Sequence, residues 1–242
     1  MTLLEELGCN DHSAGRELVL DLLDSNAPSR DIVEHFIHQV FDRAYNADLQ
    51  HFLPRLMALR DKDNHTLAAL GMRDAASGPL FLETYLDESV EDAISQLQGS
   101  IVARDCIVEV GNLASVHRRG LSKLIVALTS FLKGAGSEWV VFTAVPAVRN
   151  AFAALGLTLH TLAEADPSRL DERERDSWGD YYETGPMVVA GRVEEGYLRL
   201  SEILNVEHAF RFNCYLWEYA FIAGCRLRFL NSSTVIQPGD GM

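Results

Sequence analysis

The sequence predicts an α/β fold, and three observations carry that prediction. From residue 106 to residue 164 the apolar pattern runs strand, helix, strand, helix, strand, an order that builds at least one parallel crossover. The run EWVVFTAV (138–145) is continuously apolar, as strands are in the middle of a sheet covered on both faces. Between them, residues 119–133 place Leu121, Leu124, Ile125, Leu128, Phe131 and Leu132 along one helical stripe.

The elements follow in order. SRDIVEHFIHQVFDRAY (29–45) spaces Ile32, Val33, Phe36, Ile37, Val40, Phe41 and Ala44 for an amphipathic helix, with Ser29 as its cap. HTLAALGMRD (65–74) and LFLETYL (80–86) both read as strands around the turn AASG, so an antiparallel hairpin is expected. Asp87 to Leu97 is a helix with Val90, Ala93, Ile94 and Leu97 on one face. CIVEVGNLAS (106–115) opens the crossover, and GAGS (134–137) ends its helix. AVRNAFAALG (147–156) is a helix closed by Gly156, and LTLHTLAE (157–164) is a strand. Residues 165–185 read as a long, partly helical surface loop, and PMVVAGRV (186–193) as the last strand. EEGYLRLSEIL (194–204) is helical. The aromatic-rich tail beyond it is apolar enough to dock on its own domain or on a partner subunit, which would give a homodimer. STVIQPGDGM (233–242) reads as disordered.

With 242 residues, 48% of them hydrophobic, the chain can bury a sizeable core. It divides into an N-terminal extension (1–28), one domain (29–204) and the tail (205–242). A formal charge of −14 repels polyanions, so nucleic acid is not an expected partner and basic clusters count as local anion sites. Cys9, Cys106, Cys214 and Cys225 form no CxxC pair and no zinc-spaced grouping. They read as free thiols of a reducing compartment, with a Cys214–Cys225 bridge as the alternative, and no metal site is expected. The acidic start MTLLEELGCNDHS is unlike a signal peptide, and no stretch reaches the roughly 18 to 20 apolar residues of a spanning helix. A cytoplasmic protein is expected.

One cluster asks for a ligand. His117, Arg118, Arg119 and Gly120 stand where a strand becomes a helix. A helix N-terminus offers backbone N–H groups and partial positive charge to an anion, glycine lets the chain come close, and two arginines add charge. The plainer alternative is a loop-ending glycine with two solvated arginines.

In the GNAT (N-acetyltransferase) superfamily a similar turn holds acyl-CoA: Gln or Arg, two residues, Gly, one residue, then Gly or Ala. His117-Arg118-Arg119-Gly120-Leu121-Ser122 resembles it, departing at its first and last positions. RNAFAALGL (149–157) is similar to the superfamily helix whose asparagine often contacts the cofactor, which here is Asn150. YLD (85–87), EVGNLA (109–114), FTA (142–144), RNAFAALGL, LAEADPSRL (162–170) and WGDYYETGPMVVAG (178–191) together resemble the thermostable-haemolysin family over about residues 28–200. That resemblance implies a GNAT-like mixed, mostly antiparallel sheet with a central parallel crossover, flanked by helices, and relatives by fold among the acyl-homoserine-lactone synthases.

It also implies an N-acyltransferase taking its acyl group from acyl-CoA, or from the phosphopantetheine of an acyl carrier protein, and passing it to a small-molecule amine. The alternatives are a membrane-active haemolysin, as the family name suggests, and a non-catalytic acyl-CoA-binding module. On the enzyme reading, backbone at Asn112, Leu113 and Ala114 holds the thioester and pantetheine arm, and His117, Arg118, Arg119, Gly120 and Ser122 hold the pyrophosphate. Glu109 is the first choice for general base, with the competing reading that strand alternation points it to the outer face or pairs it with an arginine; Glu83 and Tyr85 on the hairpin strand come second. The superfamily often places a tyrosine acid where this chain has Phe152, so Tyr181, Tyr182 or water would protonate the leaving thiolate. Trp178, Tyr181 and Tyr182 line an acceptor or acyl pocket, or else anchor the loop.

Overall fold

The computed structural model describes residues 18–206 and 211–234. Cys9, the side chain of Cys214 and the terminal disorder expected after residue 234 lie outside the described residues. Cys106 and Cys225 are free thiols.

Seven strands form one sheet: β1 (Val19–Leu23), β2 (Arg55–Arg60), β3 (Thr66–Asp74), β4 (Ile107–Ser115), β5 (Trp139–Ala144), β6 (His160–Glu164) and β7 (Met187–Arg192). Their spatial order is β1-β2-β3-β4-β5-β7-β6, antiparallel throughout except for the parallel pair β4 and β5. The helices are α1 (Arg30–Tyr45), α2 (Val90–Gln98), α3 (Arg118–Ala135), α4 (Pro146–Ala154), α5 (Glu172–Ser177), α6 (Val193–Val206) and α7 (Arg211–Thr234).

Strand alternation divides the core in two. Residues such as Met57, Leu70, Val108, Val110 and Phe142 point to the face covered by α3, α4, α6 and α7. Leu56, Ala58, Ala69, Ile107 and Val141 point to the opposite face, under α1, α2 and the turns around Leu82 and Tyr181.

The expected hairpin is corrected. Residues 66–74 are β3, but the hairpin partner of β3 is β2, and Phe81–Tyr85 is a 3-10 turn. Glu83 explains the difference: its carboxylate accepts the N–H groups of Leu80 (2.8 Å) and Val90 (3.0 Å), while Leu82 N–H goes to Glu109 (3.1 Å). A segment whose donors are satisfied by carboxylates has no need of a strand neighbour. Glu83 and Tyr85 therefore sit on this turn and not on a strand. Residues 19–23, inside the stretch read as an extension, form edge strand β1 of the same sheet.

The tail docks on its own domain. The Ser130 hydroxyl donates to the carbonyl of Trp217 (2.7 Å), and Leu216 and Ala220 enter the core beside α3. Gly134 and Gly224 let the two helices touch, since a β-carbon on either would overlap a carbonyl oxygen, that of Phe221 or of Phe131. α3 is consequently buried well beyond the single stripe its sequence shows, with Val126, Ala127 and Ser130 enclosed as well. No helix among the described residues is long and apolar enough to cross a membrane.

Candidate active site

The site begins where two strands part. The parallel register of β4 and β5 ends at Val110↔Phe142, although β4 continues to Ser115 and β5 to Ala144. At the divergence Asn112 has φ 52°, in the left-handed region that asparagine tolerates better than most residues. The β3–β4 register shifts beside it, between Ala69 and Gly71. The Asn112 side chain ties this bulge to the segment before β2: Oδ1 accepts Leu53 N–H (2.9 Å) and Nδ2 donates to the His51 carbonyl (3.1 Å). Gly71 makes room, because a β-carbon there would come within 2.8 Å of Asn112 Oδ1.

A cavity of about 880 Å³ occupies the split. Val110 and Phe142, from the α3 face of the sheet, and Glu109, Tyr85 and Tyr181, from the opposite face, all line it, so the cavity passes through the sheet between β4 and β5. Its roof is made by residues 49–54 and by α5 with Trp178. Two backbone bonds join these roof segments, Asp48 N–H to Ser177 O and Asp180 N–H to Tyr45 O, both 2.7 Å.

The polar groups deepest in the walls are tied to one another. Arg73 and Glu109 stand opposite each other in register on β3 and β4. Arg73 Nη2 and Nε both reach Glu109 Oε2, at 2.6 and 3.1 Å, and Oε1 accepts the Leu82 N–H. The hydroxyls of Tyr85 and Tyr182 bond to each other, and the Tyr181 hydroxyl donates to the Thr143 carbonyl (3.4 Å). Burial holds all three phenols protonated well above the ordinary tyrosine range, and for Tyr182 the bond to Tyr85 adds to the effect. Trp178 packs on Phe41, Phe81 and Tyr181, so it anchors the loop and walls the cavity at once.

Of the residues singled out in the sequence, Glu109, Tyr85, Tyr181, Tyr182, Asn112 and Leu113 meet in this cavity. Glu83 does not line it. Its carboxylate is held by Arg104 at 2.6 and 2.8 Å, which, with the two N–H bonds, draws it down to about 2. Ala114 is buried opposite Ala69. His117, at the N-cap position of α3, and Arg118 and Arg119 on its first turn are exposed outside the cavity wall, and Asn150 is exposed on α4. Gly120 is buried: an added β-carbon would lie 3.0 Å from Ser115 Oγ and 3.3 Å from the Leu67 carbonyl oxygen. Its smallness serves the packing of α3 on the sheet, so a bulky replacement would disturb the fold as well as any ligand. Ser122 is fully buried, and its hydroxyl meets no partner among the described residues.

Sequence reasoning passed over Arg73, Phe41, Tyr45, Thr143, Glu174 and the whole 49–54 roof, all of which line the cavity. Arg73 becomes visible only with the β3–β4 register, which sets it beside Glu109. Asp61, Asp63 and His65, a group with the spacing of metal ligands, gather in the β2–β3 turn, where Asp61 accepts the N–H groups of both others; none of the three lines the cavity.

The Thermostable hemolysin family model matches residues 23–197. No curated protein matches the chain in sequence. Among solved structures the chain is similar to the CoA-dependent acyl-homoserine lactone synthase BjaI with SAM and isopentyl-CoA, at TM-score 0.53 and 12% identity over 79% of this chain and 90% of that one. It is similar to FeeM, an N-acyl amino acid synthase from uncultured soil microbes, at TM-score 0.51 and 15% identity over 75% and 94%. It is also similar to the AHL synthase LasI, at TM-score 0.50 and 11% identity over 74% and 91%. Identities this low show the fold alone, which is the mixed, mostly antiparallel GNAT-like sheet with one central parallel pair.

Proposed function

Because the chain belongs to the Thermostable hemolysin family and shares its fold with acyl-transferring synthases, we propose that it is an N-acyltransferase, moving an acyl group from acyl-CoA or an acyl carrier protein to an amine. The observation that carries this reading is the cavity through the β4–β5 split, open to a donor along one strand edge and furnished with proton-handling groups on the other side.

The donor's pantetheine arm lies along β4 at Asn112, Leu113 and Ala114, where the strand has left β5 and its edge can take a peptide-like partner. Its phosphates rest on the exposed start of α3, at His117, Arg118 and Arg119, with Asn150 as a further contact from α4, while the buried Gly120 and Ser122 seat that turn on the sheet. In the cavity the neutral amine attacks the thioester carbonyl carbon. The C–N bond forms and the C–S bond breaks, giving an amide; the nitrogen's surplus proton goes to Glu109 or to water beside it, and the leaving thiolate takes a proton to become the free thiol. Tyr182, bonded to Tyr85 and kept protonated by burial, is the proposed donor of that proton, in place of the acid that Phe152 cannot supply.

The test is release of free thiol from acetyl, octanoyl and palmitoyl donors, on CoA and on acyl carrier protein, with and without a mixture of amines. Amine-dependent release with an amide product is the expected result. Donors that neither bind nor react would overturn the reading.

A further inference from the structure

Resting on the acyltransfer reading above, we infer that the acceptor is an amino acid whose carboxylate is held by Arg73. An arginine that serves only to neutralise a carboxylate favours the two-by-two fork, with one N–H to each oxygen. That fork is absent here: both Nε and Nη2 of Arg73 converge on Oε2, while Oε1 of Glu109 accepts the Leu82 N–H. Of the five N–H donors on a guanidinium, two serve Glu109, and among the described residues the other three meet no acceptor.

The pair is also unequally buried. The Glu109 side chain is 5% exposed and that of Arg73 25%, so the arginine is the more accessible member of a pair that lines the cavity. Its open edge presents parallel donors of the kind that bind a carboxylate.

Charge selects the rest of the acceptor. The Arg73–Glu109 pair is neutral as a unit, and Asp171, Arg173 and Glu174 stand in the same wall, where the two carboxylates outnumber the one further guanidinium. A simple anion would add unmatched negative charge, and a simple cation would meet the guanidinium. A zwitterion satisfies both, with its carboxylate on Arg73 and its ammonium towards the acidic side chains until it gives up a proton. During transfer the carboxylate stays intact: the amine nitrogen bonds to the acyl carbon, the thiol leaves carrying one proton, and the product is an N-acyl amino acid.

The experiment uses the full chain with whichever donor supports thiol release, and compares leucine with leucinamide and isopentylamine, and tyrosine with tyrosinamide and tyramine. The expected result is a kcat/KM at least tenfold higher for one amino acid than for its amide. Arg73→Lys and Arg73→Gln should bring that ratio close to one while donor affinity stays within threefold. Equal use of acid and amide by the unaltered protein would overturn the inference and leave acyl transfer standing. Retention of the ratio in a folded Arg73 variant would place the carboxylate elsewhere and also overturn it. If no donor binds or reacts, acyl transfer itself fails and the inference falls with it.

Discussion

Arg73 and Glu109 face each other across β3 and β4, with Nη2 2.6 Å from Oε2, and the carboxylate of the pair lies almost wholly out of water. Removing one partner of such a pair leaves a desolvated charge, which costs more than the pair itself is worth. Arg73→Met should therefore lower stability by about 3 kcal/mol, the low end for a buried pair because the arginine keeps some solvent. Adding Glu109→Gln should restore much of the loss. Urea unfolding of the two single variants and the double variant measures this coupling, and simple additivity would show that the pair contributes nothing as a pair.

Tyr182→Phe keeps the ring packed against Trp178 and Tyr181 and deletes only the hydroxyl bonded to Tyr85. If the hydroxyl protonates the leaving thiolate, kcat should fall by roughly 10²-fold, with donor affinity nearly unchanged. Steady-state kinetics beside direct donor binding separates the two effects. Since burial raises this phenol, its proton should remain in place through neutral and mildly alkaline pH, and the loss should be the same at pH 7 and pH 9.

Glu83 links stability to acid. Chiefly through its bond to Arg104, its carboxyl is lowered from 4.5 to about 2 in the folded protein. A depressed carboxyl contributes stability that is fully present above the unfolded value and is lost as the pH falls through the folded one. The protein should lose stability between about pH 4.5 and pH 2, and Glu83→Gln should flatten that part of the curve. Unfolding midpoints across the window measure the slope, and an unchanged slope in the variant would assign it to other carboxylates.

Gly134 and Gly224 make the α3–α7 contact dependent on the absence of two β-carbons. Gly224→Ala should push α7 from α3 and cost about 1–3 kcal/mol, as overpacking does. Hydrogen exchange is the sensitive readout: the amides of α7 should lose protection while those of β4 and β5 keep theirs. Equal protection in variant and parent would mean that the helices adjust without separating.

What could be read from residues alone depended on how long a pattern persists. Helix α1, with 16 residues, and α3, with 18, repeat an apolar stripe over several turns, and β5 is apolar but for Thr143. VLDLL (β1) and RLMALR (β2) are short, and β2 is buried on both faces, so neither shows an alternation to distinguish it. LFLETYL is rich in strand-forming residues, yet the carboxylates of Glu83 and Glu109 take its N–H groups and close it into a turn. The cavity was legible as Glu109, Asn112, Tyr85 and the tyrosines of residues 181–182, whereas its roof and Arg73 were not, since residues 36 positions apart meet only through the β3–β4 pairing.

The crossover at the centre of the fold, the family resemblance and the chemical types gathered for the site are written in single segments, because these rest on local periodicity and on short motifs. That Glu109 is held by Arg73, that Gly120 serves packing, that the strands part after Val110 and that the tail lies on α3 emerge with the folded chain. Each of these depends on which distant backbones come within hydrogen-bonding or van der Waals reach, and strand register and helix docking settle that for all segments together.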